Sequence, residues 1–92
     1  METIYKGSSF LLIVTFEEQT SLTNATLFNQ ATHESVMFSI EQTEANQYNL
    51  SLSADVTANI GVGLYNLELW ADTLIIERKE NFVKVEETSQ SV

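Results

Sequence analysis

Ninety-two residues with thirteen acidic and four basic side chains, a net charge of −9 and no cysteine describe one small domain without disulfides. Such a surface repels nucleic acid and anionic bilayers. A hydrophobic share of 43% is too high for a disordered chain, and at this length burial of apolar side chains has to carry most of the stability.

The N-terminal Met1-Glu2-Thr3 lacks the basic start of a signal peptide. The longest apolar run, Phe10 to Val14, is too short to cross a bilayer. The expectation is a protein made and used without passing a membrane by the usual route. Period-2 alternation then dominates the chain. Phe10, Leu12, Val14 and Phe16 face one way, with Leu11, Ile13 and Thr15 opposite. Ala25 to Gln30 is a weaker strand, closed by a Thr32-His33-Glu34 turn. Val36, Phe38 and Ile40 alternate with Ser35, Met37 and Ser39, and a Glu44-Ala45-Asn46 turn leads to Tyr48, Leu50 and Leu52, which alternate with Gln47, Asn49 and Ser51.

One helical turn is predicted over Ala54 to Ile60, with Ser53 or Asp55 as its cap and Gly61 as its end. Gly61-Val62-Gly63 lets the chain turn sharply into the next strand. There Tyr65, Leu67 and Leu69 face the core, opposite Asn66, Glu68 and Trp70. Ala71-Asp72-Thr73 connects to Leu74 and Ile76, which face away from Ile75 and Glu77. Lys79 to Asn81 makes a further short connection, and in the last strand Val83 and Val85 face away from Phe82 and Lys84. About seven short strands at this spacing predict an all-β, antiparallel two-sheet sandwich. Its single domain spans 1–86, and 87–92 is a flexible C-terminal tail. With no proline available, Glu77-Arg78-Lys79-Glu80 is the expected charged protection of a sheet edge.

Residues able to carry chemistry are sparse. The single histidine, His33, falls in a turn, and there is no nucleophile elbow or cysteine to pair with it. Zinc needs several Cys or His ligands. Gly61-Val62-Gly63 lacks the remaining residues of a phosphate loop. Neighbours in Glu17-Glu18 and Glu86-Glu87 point to opposite faces of a strand, so neither pair chelates. The triplets Asn24-Ala25-Thr26 and Asn49-Leu50-Ser51 read as chance matches to a glycosylation motif. No catalytic, metal or cofactor site is expected, and the chain is read as a non-enzyme. The informative anomaly is apolar side chains opposite the predicted core: Leu11, Ile13, Met37, Trp70, Ile75 and Phe82. These six are the candidate protein interface, with Trp70 foremost because aromatic residues dominate contact energetics.

The order of several segments carries a resemblance. Tyr5-Lys6-Gly7 precedes a hydrophobic strand, and Ser21-Leu22-Thr23-Asn24-Ala25-Thr26 leads into the next. Leu50-Ser51-Leu52-Ser53-Ala54-Asp55-Val56-Thr57 is followed by Gly63-Leu64-Tyr65-Asn66-Leu67-Glu68-Leu69, and Phe82-Val83-Lys84-Val85 closes the series. From about Tyr5 to Val85 the chain resembles the immunoglobulin-like β-sandwich modules of tailed-bacteriophage virions. It departs from their pattern at Asn24 and at Asn81-Phe82, where glycine is commoner; asparagine tolerates the left-handed backbone that glycine supplies. The paired cysteines of classical immunoglobulin domains are absent.

The resemblance implies an immunoglobulin-like sandwich. It also implies a virion structural protein assembled in bacterial cytoplasm, most simply an auxiliary, or decoration, protein bound to the outer capsid surface. Its partners would be the major capsid protein or other virion proteins, and it would be monomeric when free. The rival roles are a tail, baseplate or fibre module, or a sugar-binding face built on Trp70, Tyr48 and Asn66.

Overall fold

A computed structural model of the chain describes residues 1–87. Its elements in order are β1 (Glu2–Tyr5), β2 (Phe10–Thr15), β3 (Asn24–Phe28), β4 (Ser35–Met37), β5 (Ser39–Glu44), β6 (Gln47–Leu52), α1 (Ala54–Ala58), β7 (Gly63–Ala71) and β8 (Leu74–Glu86). The strands form two sheets, a five-stranded one ordered β1-β8-β7-β3-β4 and a three-stranded one ordered β2-β6-β5. The expected all-β two-sheet architecture is what the chain adopts. Two details differ. The described residues form eight strands, and β1 pairs with β8 in parallel, Glu2 opposite Val83 through Tyr5 opposite Glu86, while every other pair among them is antiparallel. A four-residue strand with only Ile4 turned inward gives too little alternation to be read from sequence. The expected tail, apart from Glu87, lies outside the described residues.

Between the sheets lies a continuous apolar layer. Ile4, Ala25, Leu27, Tyr65, Leu67, Leu69, Val83 and Val85 come from the larger sheet, and Tyr48, Leu50 and Leu52 come from the smaller. Phe10, Leu12, Val14 and Phe16 pack against this layer half-buried. The Val36-Phe38-Ile40 alternation runs unbroken although β4 and β5 belong to different sheets. The chain crosses over at buried Phe38, whose N–H bonds Ala25 O at 2.9 Å. Both halves border the same core, so period 2 survives the crossing.

Polar side chains fasten the connections to this core. The Tyr48 hydroxyl donates to Thr20 O at 2.5 Å and accepts from Leu22 N at 3.2 Å, which ties down the segment before β3. Asn29 Oδ1 accepts from the N–H groups of Ala31 and Thr32 and so shapes the β3–β4 turn. Ser53 caps α1 by accepting from Val56 N, but the helix ends at Asn59 and not at Gly61. Buried Thr57 donates to Ser8 O at 2.7 Å and accepts from Gly7 N at 3.1 Å, pinning the β1–β2 turn to the helix. Gly63, at φ +138°, opens β7. Asn24 is extended inside β3 and makes no left-handed turn, whereas Asn81 has φ +50°.

The expected connection at Lys79 to Asn81 is instead a bulge within a continuous β8. Pairing jumps from Tyr65 opposite Val83 to Leu67 opposite Lys79, and Asn81 N–H bonds Asn66 Oδ1 at 2.9 Å across the gap. A second irregularity between Leu69 and Trp70 shifts the start of β8. Leu74, expected in the core, pairs with Ala71 at the end of the β7–β8 hairpin and is 68% exposed, and Ile76, the extra residue between Ile75 and Glu77, is also exposed.

Tyr65 anchors the far side of the turn system. Its hydroxyl lies 2.7 Å from Gly61 O and 3.0 Å from Glu34 Oε1, and that carboxylate also accepts from Gly61 N. Burial, reinforced by the Glu34 carboxylate, pushes the phenol from 10.0 up to about 12. Below pH 10 the phenol is protonated in both folded and unfolded chains, and its contribution is complete. Between about 10 and 12 the unfolded chain releases the proton first, so stability is expected to fall as the pH rises. Thermal melts across this window should show the decline, and Tyr65→Phe, which has no proton to lose, should flatten it.

Candidate protein-binding surfaces

The six interface candidates occupy three places. Met37, Trp70 and Ile75 share the outer face of the five-stranded sheet. Thr26 sits opposite Met37 on one side and Glu68 on the other, two residues before Trp70, and Trp70 is opposite Ile75. Trp70 is half-buried, and its indole N–H donates to Thr26 Oγ1 at 3.3 Å. Met37 stands 62% exposed at the margin. Asn24, Thr26, Met37, Trp70, Asp72 and Thr73 line a shallow, mainly apolar recess of about 330 Å³. Next to it, Glu68 is buried and accepts from Arg78 Nε at 3.0 Å. The recess therefore has an apolar floor beside a satisfied ion pair.

Leu11 and Ile13 lie on the opposite side of the molecule, exposed on the outer face of the three-stranded sheet. Across that face Leu11 meets Ser51 and then Ser39, while Ile13 meets Asn49 and then Glu41. The surface is apolar at the β2 edge and acidic at β5.

Phe82 departs from expectation: it packs against the core. The bulge just before it lets Phe82 and buried Val83 both approach the interior, which a regular strand forbids. Lys79 Nζ sits 5.3 Å over the Phe82 ring. Phe82, Leu12, Ile13, Val14, Thr15, Leu67, Leu69, Glu77 and Lys79 border a groove of about 250 Å³ between β2 and the β7–β8 pair. This groove had no signature in the sequence, because its walls come from strands far apart in the chain.

His33 is an exposed turn residue at φ +64°, with its ring 6.1 Å from that of Phe28. Tyr48 and Asn66, which a sugar-binding face would have to display beside Trp70, are both buried, so that trio does not form a surface. Among the described residues no three His, Asp or Glu side chains converge as a metal site would require. Compared with protein-family models, curated proteins and solved structures, the chain matches none. Among the described residues no helix is long and apolar enough to cross a membrane.

Proposed function

We propose that the chain is a non-enzymatic structural protein of a tailed-bacteriophage virion. Within that role it is an auxiliary protein that binds the outer capsid surface through the major capsid protein and stabilises the shell. The family reading rests on the sequence resemblance between Tyr5 and Val85. The observation that supports docking is the recess of Met37, Trp70 and Thr26 on a rigid sheet face. A half-buried tryptophan whose N–H is already bonded offers a preorganised apolar anchor, the kind of residue on which contact energy concentrates. Copies that bind only the assembled lattice stabilise it by mass action.

The test is addition of the purified protein to shells lacking it, with density maps of the decorated particle. The expected result is this fold on the outer lattice, with Trp70→Ala weakening binding by about tenfold or more at a temperature where circular dichroism shows the variant still folded. Finding the fold only in the tail of the particle, or unchanged binding by Trp70→Ala, overturns the reading.

A further inference from the structure

The groove beside Phe82 is bounded by two open sheet edges. Among the described residues, β2 pairs in the smaller sheet only with β6. In the larger, β1 covers β8 only from Val83 to Glu86, leaving the stretch from Leu74 to Phe82 without a neighbour on that side among the described residues. Phe16 N–H bonds Asn46 O at 2.8 Å, in step with the Thr15–Gln47 register. The even-numbered residues of β2 therefore exchange hydrogen bonds with β6, and the N–H and C=O groups of Leu11, Ile13 and Thr15 point to the free edge.

The other edges are guarded and β2 is not. β4 is three residues long and β1 four. β5 carries Glu41 and Glu44, and the open part of β8 carries Glu77, Arg78, Lys79 and Glu80. β2 reads Phe-Leu-Leu-Ile-Val-Thr, six residues without a charge. Folded proteins blunt exposed edges with charge or shortness, so a long uncharged edge is a pairing site unless it is covered.

We propose that β2 accepts an extended segment of a partner protein as an added strand, and that this segment alternates apolar residues and is flanked by Lys or Arg. Main-chain bonds to Leu11, Ile13 and Thr15 supply the docking, and pockets for alternate side chains supply the selectivity. One set of partner side chains enters the groove over Leu67, Leu69 and Phe82, and the other lies beside Leu11 and Ile13. The basic flanks follow from charge. Glu17 and Glu18 follow β2 after Phe16, and the chain as a whole carries −9. A second copy would bring the same charge to the same edge, whereas a basic segment is attracted. This proposal is independent of the capsid reading, which concerns the opposite face.

The experiment uses the intact chain, labelled with ¹⁵N, and a synthetic peptide Lys-Val-Thr-Val-Thr-Val-Lys. Expected are slowed hydrogen exchange at the amides of Leu11, Ile13 and Thr15, with little change at Leu12 and Val14, which already bond β6. Methylating alternate peptide amides should abolish binding for one set and spare it for the other, as main-chain pairing requires. Exchanging the flanking lysines for glutamate should weaken binding by about tenfold or more. Ile13→Pro removes one outward N–H where edge strands tolerate proline and should lose the peptide. Leu11→Lys with Ile13→Lys keeps both amides and should reverse the preference toward the glutamate-flanked peptide. No protection on β2, protection confined to another face, or equal binding of both methylated peptides overturns the proposal. So does light scattering that shows a dimer whose β2 amides are protected without peptide, because the occupant is then a second copy.

Discussion

Leu50→Ala is expected to destabilise the fold by about 2–5 kcal/mol. Leu50 is fully buried at the centre of β6, the middle strand of the smaller sheet, with Leu12 opposite it on one side and Ile40 on the other. Removing its side chain leaves a space that neither neighbour can fill without leaving its own register. Total stability for a domain of this size sits near the low end of the usual ~5–15 kcal/mol, so one cavity takes away a large fraction of it. Urea titration followed by tryptophan fluorescence should show the midpoint fall with the slope unchanged. Leu11→Ala is the control: Leu11 is 57% exposed on the neighbouring strand, and its loss should stay within about 0.5 kcal/mol. Equal losses for the two would mean that the core is not where the alternation places it.

Gly63→Ala is expected to cost about 2–4 kcal/mol for two separate reasons. The first is backbone strain, since φ +138° is a conformation that side chains rarely adopt. The second is crowding: a Cβ at this position would stand 3.1 Å from Asn29 Nδ2. Asn29 is buried, and its Oδ1 holds the N–H groups of Ala31 and Thr32, so it cannot move without loosening the β3–β4 turn. Gly7 gives a clean comparison, because it also has positive φ (+86°) but nothing within 4 Å of its would-be Cβ. Gly7→Ala should carry only the strain. Chemical denaturation should show the larger loss for Gly63→Ala, and a loss there no larger than that of Gly7→Ala overturns the two-cause account.

Legibility in the sequence follows the regularity of the strands. Where a strand is regular, as from Gln47 to Leu52, the alternation Tyr48, Leu50, Leu52 states which face is buried, and those three are. Where β8 carries two register shifts, the same reasoning misplaces Ile76 and Phe82, and it does not show that Leu74, paired with Ala71 at the hairpin end, is left exposed. A bulge depends on the partner strand, and no single-strand pattern encodes its partner. Asn81 did leave a trace: a turn-former in an otherwise strand-like stretch marks the irregularity, although it makes a left-handed kink and not a connection. β7 shows the opposite effect. Its outward residues Asn66 and Glu68 are buried as well, because it is the central strand of its sheet and is covered by its neighbours' side chains, including Arg78.

For the candidate surfaces, the outward apolar residues were identifiable one by one. Their division between two opposite faces and a groove was not, since that depends on which strands share a sheet. Sequence spacing could place Leu11 and Ile13 on one side of β2. Only the register with β6 shows that their backbone groups also line an open edge.

The parallel pairing of β1 with β8 has a consequence for how the chain folds. Glu2 through Tyr5 cannot be paired until Val83 through Glu86 have been made and have reached their place beside β7. During synthesis the first strand of the domain therefore waits for the last, and Ile4 stays in water until Val85 opposite it has been made. Closing a loop of that span costs more entropy than closing any hairpin, which places this step among the slow, non-local events of β-folding. Partly made chains will display β2 and β6 without the β7–β8 pair that faces them across the core, and the uncharged edge will be at its most adhesive then. The acidic surface that surrounds it, mutually repulsive between nascent copies, acts as the chain's own chaperone over that interval.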